Sequence, residues 1–453
     1  MTTWRRRRSP LLAFFHAHRL LLSALAFSCA TAAFLALRLR FFSTLLIYLP
    51  LVTICVPALA VFDTVDSRNL RKAWPTTRRV RFALSLAWCA HMLLMPKYPS
   101  SGRSAHMHPA APLPALPGNG SATYFIAANL YDYGPHLPAW TRQIALLIEH
   151  LGRARVFVSV YESNSHDDTK ARLRAFGDDL HRAGVRSRVV LDTDDRRRPG
   201  WQSNGHERVS YMADMRNKAL EPLEEGLDGR RFDRLIFFND VYFDWQSIIR
   251  LLATNDGAFD LACALDFDGI GLYDTWVIRD ACGQRTKEIW PYFAHDPVAV
   301  DKLRAEQPVE VAACWNGVAA FDAAWFLPPP PASSSPYTPA ASPPPGAPLR
   351  FRGDTACPAS ECFLIGYDMH LRSAPARPRI FVNPQVTVAY TAQNFLYYAR
   401  LRHLALARPW RVVWEDWIAH GLFAWVSDHF WLKDGEQCPF EREGLVKAEY
   451  CPP

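Results

Sequence analysis

The chain has 453 residues, 49% hydrophobic and 21% charged, enough for one large core with accessory segments beside it. Its net charge of +7 is unevenly spread: residues 1–95 hold 13 Lys and Arg against 2 Asp, and the remainder holds 38 basic against 42 acidic side chains. That split excludes a basic nucleic-acid face after residue 95, and the lack of any C-x-x-C pair among the ten cysteines argues against a zinc ribbon.

Arg5–Arg8 precede two apolar stretches, Leu20–Leu37 and Phe41–Phe62, separated by Arg38-Leu39-Arg40. Each is near the roughly 20 residues that a bilayer span needs. Neither ends in an A-x-A cleavage pattern, so the pattern predicts an uncleaved signal-anchor. Phe82–Met95 is also apolar but shorter, and the arginine clusters at 5–8 and 78–81 vote for opposite orientations. One, two or three spans all fit, and residues 1–95 are expected to be a cytosolic tail and membrane anchor. Residues 96–121 are rich in Pro, Ser, Gly and Ala and predict a flexible stem, in which Asn119-Gly120-Ser121 is a glycosylation sequon.

From Tyr124 strands and helices alternate. Strands are expected at Tyr124–Ala128, Val156–Tyr161, Val185–Leu191, Leu235–Phe238, Asp260–Leu265 and Arg379–Val388. Helices are expected at Pro138–Leu151, Asp167–Arg182 and Tyr211–Glu225, and after a possible N-cap at Asp244. Such alternation implies an α/β domain over residues 122–453, with a mostly parallel central sheet and helices on both faces. Pro328–Pro348 is a low-complexity, Pro-rich surface insertion, and the tail carries Trp410, Trp414, Trp417, Trp425 and Trp431, a spacing more typical of core packing than of a carbohydrate platform.

The chain is organised around Asp233–Ala253. Its apolar strand stops at Asn239 and Asp240, and a buried strand that delivers a carboxylate to its C-terminal end is where open α/β sheets place ligands. Nucleotide-sugar transferases of the GT-A type carry a D-x-D motif at such a strand end, whose acids hold a divalent metal against the donor diphosphate. Asp240 stands at the second acidic position and Phe238 at the first; the plain alternative is a solvated Asp in a turn. Asp266-Phe267-Asp268 is a literal D-x-D at another strand end, and Asp192-Thr193-Asp194 repeats the pattern. Two acids one residue apart can both face Mg²⁺ or Mn²⁺, which prefer oxygen ligands. Arg216, on the helix before the central strand, is placed to reach a diphosphate. Asn316 and Gly317 lie in a loop entering an apolar strand, where backbone can come close to a sugar. No G-x-S-x-G elbow, H-E-x-x-H pair, P-loop or complete dinucleotide fingerprint is present.

Several segments in order, Phe237–Phe243, Cys263–Asp268, Tyr273–Asp280, Cys314–Gly317 and Ser360–Cys362, resemble the fungal capsule-associated α-1,3-mannosyltransferases, glycosyltransferase family 69. The resemblance runs from about Tyr124 to Tyr390. It implies a GT-A-like fold, GDP-mannose as donor, a mannose-containing glycan as acceptor, Mn²⁺ or Mg²⁺ as cofactor, and a type II Golgi membrane protein with a lumenal catalytic domain. The Pro-rich insertion and the longer apolar N-terminus depart from the family pattern, and Val386–Tyr390 ends in Tyr where many GT-A enzymes have His.

The roles expected on this basis are metal ligation by Asp240 and Asp266, donor binding by Arg216, Asn239, Asn316 and Gly317, and catalysis by Glu361 and Asp268. Asp266 and Asp268 are alternative metal ligands or acceptors for sugar hydroxyls, and Glu361 is either the reacting carboxylate or a buried structural acid. The seven cysteines after residue 95 fit either a few disulfides in an oxidising lumen with one left over, where Cys357 is expected to pair with Cys362, or inert buried thiols in a reduced cytosolic protein. The missing first Asp leaves a second reading open, a non-catalytic membrane protein with a degenerate transferase fold.

Overall fold

The computed structural model describes residues 112–116, 120–193, 198–200, 205–225, 231–269, 271–290, 292–293, 296–328, 348–354 and 359–403. The anchor segment, most of the stem with Asn119, the bulk of the Pro-rich insertion, Asp194, Cys357 and the Trp-rich tail lie outside these residues. Among the described residues no helix is long and apolar enough to cross a membrane.

The first half alternates as its hydrophobic pattern dictates: β1 Tyr124–Leu130, α1 Leu137–Leu151, β2 Val156–Glu162, α2 Thr169–Arg182, β3 Arg186–Leu191, α3 Gly205–Glu224, β4 Arg234–Phe238 and α4 Trp245–Leu252. There follow β5 Leu261–Asp268, the two-residue strands β6 Gly271–Leu272 and β7 Arg279–Asp280, α5 Pro297–Arg304, β8 Val309–Ala313 and β9 Val318–Asp322. The described chain closes with α6 Glu361–Ser373, β10 Ile380–Ala389 and α7 Ala392–Ala399. In α1 the buried side chains Leu137, Trp140, Ile144, Leu147, Ile148 and Leu151 recur at helical spacing, and the helix stops at Gly152, whose φ of +94° suits glycine.

These strands make one mixed sheet in the order β3-β2-β1-β4-β9-β5-β10-β8-β7, with β6 alongside β5. The long ladders β1–β2, β2–β3, β1–β4 and β5–β10 are parallel, as the βα alternation requires, while β9 runs antiparallel between β4 and β5. Every residue of β2 and β4 is buried, because both faces of the sheet are covered. One apolar layer takes Phe125, Leu235, Phe237 and Cys263 with residues of α3 and α6. The opposite layer takes Ile126, Ile236, Phe238 and Ala264 with residues of α1, α2 and α4.

A disulfide joins Cys263 of β5 to Cys314, which precedes β9, and Cys282 is also disulfide-bonded. The expected bridge between Cys357 and Cys362 is not formed, because Cys362 is a free, buried thiol. It occupies the second position of α6, where the Ser360 hydroxyl caps its amide and its Sγ lies 3.5 Å from the Glu361 carboxylate. Asp244 takes the N-terminal position of α4 without capping it through its side chain, which pairs with Arg400 instead.

Candidate active site

Because β1, β4, β5 and β10 are mutually parallel in direction, their C-terminal ends share one edge of the sheet, and a cleft of about 500 Å³ opens there. Asn129 and Tyr131 line it at the end of β1, Asn239 and Asp240 at the end of β4, and Tyr390 after β10. α3 covers one side with Arg208, Met212 and Arg216, four residues apart and therefore on one helical face. Glu361 and Cys362 reach in from the N-terminus of α6, and Tyr273, Asp274 and Trp276 from the loop after β6.

The floor is rigidly tied. The Asn239 amide donates to the Gly317 carbonyl at 2.8 Å, and the Tyr242 amide to the Ala389 carbonyl at 2.7 Å, so the end of β4 is bound to both β9 and β10. Asn316 and Gly317 take positive φ, +48° and +80°. A Cβ at Gly317 would stand 2.9 Å from Val388 and 3.0 Å from Val241, so the turn needs glycine for space as well as for backbone conformation.

At the centre is Arg216, only 5% exposed. Its Nε donates to Glu361 Oε1 at 2.9 Å and its Nη1 to Asn239 Oδ1 at 3.0 Å. Trp315 Nε1 donates to the same Asn239 oxygen at 3.1 Å, and the guanidinium carbon lies 4.4 Å from the Trp315 ring centre. Burial works against the Arg216 charge, but the acidic groups around it, the hydrogen-bonded Glu361 among them, more than offset it, and the net shift is upward. The buried cation is thus held by a carboxylate, an amide oxygen and an aromatic face. Cys362 is no thiolate nucleophile, since burial pushes its pKa well up despite Arg216 nearby.

Asp240 stands on the cleft wall. Removal from water raises its pKa, and its own amide, Arg198, Arg216 and His136 work in the other direction. Phe238, two residues earlier, is fully buried between Trp140 and Phe243 at 6.1 and 4.8 Å, so that position is committed to the core. Asp266 is completely buried and does not line the cleft. Its Oδ1 accepts from Asn316 Nδ2 at 2.7 Å and from the Asp274 amide at 3.3 Å, while Oδ2 accepts from the Tyr390 hydroxyl at 3.4 Å. Burial lifts its pKa to about 6 against these bonds. Asp268 is bound by Asn394 Nδ2 at 2.6 Å and by the Gly269 amide at 3.0 Å, also away from the cleft lining.

Of the eight residues singled out in the sequence, Arg216, Asn239, Asp240 and Glu361 meet in the cleft, Asn316 and Gly317 form the layer beneath it with Asp266, and Asp268 lies aside. Asp274 has no sequence-derived role, yet it lines the cleft with a pKa raised far above the ordinary range by burial and then by Asp266 and Glu361. It lies in the Tyr273–Asp280 segment that carries the family resemblance, and that membership was the one signal that could have found it. Met212 was findable one turn before Arg216, whereas Arg208 completes the i, i+4, i+8 stripe only because the helix begins at Gly205, before the expected Tyr211.

A family profile described as Cryptococcal mannosyltransferase 1 matches residues 123–368, more than half of the chain and nearly every element that builds the cleft. The chain belongs to that family. Within it, alpha-1,3-mannosyltransferase CMT1 of Cryptococcus neoformans var. neoformans serotype D is 26% identical over 324 residues, and the match covers 64% of this chain and 64% of that protein's length. Among solved structures, the mannosyltransferase of Pyrobaculum calidifontis in complex with GDP-Man and Mn²⁺ aligns at 14% identity over 80% of this chain and 78% of that one, with a TM-score of 0.34. S. aureus TarS 1-349 aligns at 12% identity over 62% and 64% of the two chains, with a TM-score of 0.32.

Proposed function

We propose that this protein is a membrane-anchored glycosyltransferase that moves mannose from GDP-mannose to a mannose-containing glycan, forming an α-1,3 linkage with retention. Family membership supports the transferase class. The observation that carries the chemistry is the locked Arg216, held by Glu361 and Asn239 in the same cleft as Asp240. A fixed cation there offsets the charge that grows on the diphosphate as it leaves, without reorganising during the reaction. Arg208 on the same helical face adds a second positive group.

The donor set in the cleft fits a divalent cation. Asp240 presents a half-buried carboxylate to a cleft that Asp274 and Glu361 also line, and Mg²⁺ or Mn²⁺ is commonly held by one or two carboxylates plus substrate phosphates. Asp240 would hold the ion, which would act as a Lewis acid on the diphosphate; Asp266, whose oxygens are engaged by Asn316, Asp274 and Tyr390, would support the floor beside it. In a retaining front-face transfer the anomeric C–O bond breaks with its electron pair passing to GDP. The acceptor oxygen bonds the same face, and its proton goes to the departing phosphate. Glu361 orients Arg216 for this step, while Asn239 fixes both Arg216 and Trp315.

The anchor, the Golgi membrane and the lumenal placement rest on the apolar stretches after Arg5–Arg8 and on the Cys263–Cys314 disulfide, a bond suited to an oxidising compartment. The test uses detergent-solubilised full chain with GDP-mannose or UDP-sugars, an α-linked mannobiose, and Mn²⁺, Mg²⁺ or EDTA. Cation-dependent mannose transfer from GDP-mannose is expected. Neither transfer nor hydrolysis of any nucleotide sugar would favour the non-catalytic reading instead.

A further inference from the structure

The cleft is not uniform in chemistry. After β1 the Arg198 guanidinium lies 4.4 Å from the Tyr131 ring, and Arg208 joins it by donating to the Pro199 carbonyl at 2.7 Å. Toward β5 and β10 the cleft walls carry Asp274, Tyr390, Tyr273 and Trp276. The arginines favour a diphosphate at the first end, while large rings and hydrogen-bonding groups predominate at the second.

Tyr273 and Trp276 are 45% and 44% exposed, unusual for such large rings. The exposure does not come from a loose loop. The Tyr273 amide donates to the Asp266 carbonyl at 3.0 Å, the Thr275 amide to the Tyr273 carbonyl at 2.9 Å, and Arg279 Nη1 to the Trp276 carbonyl at 2.9 Å. Tyr273 also packs on Tyr390 with ring centres 4.5 Å apart. A fixed backbone therefore holds two aromatic faces toward the cleft mouth, with the Asp274 carboxylate between them in sequence.

We propose that Tyr273 and Trp276 form the acceptor subsite, a platform on which a pyranose ring of the acceptor glycan stacks while Asp274 accepts its hydroxyl hydrogens. A neutral sugar has an apolar C–H face for an aromatic ring and donors on its rim for a carboxylate, which is the pairing this end of the cleft supplies. The assignment rests on the transferase reading for its name, since "acceptor" has meaning only beside a donor site. It also gives the cleft a direction, with nucleotide toward β1 and glycan toward β10.

The test compares wild-type full chain with Trp276→Ala, Tyr273→Ala and the ring-keeping Trp276→Phe, using α-linked mannobiose as acceptor probe. Both alanine variants should raise the mannobiose KM by tenfold or more, Trp276→Phe should recover most of that loss, and the Kd for GDP should stay within twofold. Saturation-transfer NMR of mannobiose, without any donor, should show contact in the wild type and its loss in Trp276→Ala. Unchanged mannobiose KM and contact in both alanine variants would overturn the proposal. So would a tenfold weaker GDP Kd with mannobiose unaffected, which would assign the rings to the nucleotide base. A wild type that neither binds GDP nor turns over GDP-mannose would sink the transferase reading, and the mannobiose contact would then decide the platform by itself.

Discussion

Two strands of the sheet, β4 and β5, run in the same direction, lie one strand apart, and both end in carboxylates, but the ends do different work. At the end of β5, Asp266 and Asp268 are separated by one residue and sit on one face of the strand, the arrangement a metal pair needs. Both are engaged by protein: Asp266 by Asn316, the Asp274 amide and Tyr390, and Asp268 by Asn394 and the Gly269 amide. At the end of β4 only Asp240 is acidic, yet it stands on the cleft wall beside a locked arginine. The β5 acids have protein donors on their oxygens and stand off the cleft lining, which leaves Asp240 the better-placed ligand. One acid with an open face can make a cation site, because the substrate brings the remaining oxygens.

The largest effect that would sharpen this contrast is expected at Asp240. Asp240→Asn keeps the size and removes the charge, and should lower mannose transfer on the order of 10³-fold, about 4 kcal/mol. The thermal midpoint should be unchanged. Near-wild-type transfer in Asp240→Asn together with abolished transfer in Asp268→Asn would reverse the comparison and move the working site to β5.

Arg216 comes next. Lys keeps the charge but cannot donate to Glu361 and Asn239 at once from a planar fork, nor stack on Trp315 in the same way. Arg216→Lys should lower kcat on the order of 10²-fold with a smaller change in GDP affinity, measured by steady-state transfer and by titration. An unchanged kcat would show that charge alone suffices and that the Glu361–Arg216–Asn239 geometry is not needed.

Gly317 ties the two strand ends together, lying under Asn239 and against Asp266 and Val388. Gly317→Ala places a methyl into space already filled and forces an L residue to φ +80°. It should destabilise the fold by about 2 kcal/mol. Thermal unfolding measures it, and a midpoint equal to wild type would mean that the floor yields more readily than its contacts suggest.

The strand that ends at Asn239 and Asp240 was legible in the sequence, and the hydrogen bonding of the β5 acids was not, for reasons that are physical. Leu235–Phe238 is a continuous apolar run ended by Asn-Asp, and both the strand and its buried faces follow from that pattern. The expected strands and helices up to Leu252 are all present, displaced by a few residues at most, apart from α3, which begins six residues earlier than expected, at Gly205. The antiparallel course of β9 was not legible, because a short apolar strand carries no direction in its composition. Hydrogen-bond satisfaction was not legible either: Asn316 and Asn394, which occupy the β5 acids, come from 50 and 126 residues further along the chain. Cys362 shows the same limit, since its spacing from Cys357 suits a bridge and its position on α6 against Glu361 does not.

The smallest effect expected is a dependence on pH, and it separates a structural Asp266 from a cation-binding one. Burial raises the Asp266 pKa to about 6, against about 3.9 in an unfolded chain. An acid whose pKa is higher in the folded state binds more protons when folded, so its contribution to stability falls as pH rises through that interval and is level above it. Asp266→Asn has no proton to lose. Between pH 4 and pH 6.5, in EDTA, the wild type should therefore lose stability relative to the variant, which is also freed of the charge that Asp266 presses on Asp274, measured from unfolding midpoints across pH. The constant loss from replacing a hydrogen-bonded carboxylate by an amide cancels in that difference. A trend of the opposite sign would mean that Asp266 is held charged in the folded protein, and if it appeared only with Mn²⁺ present, the β5 acids would belong to the cation site after all.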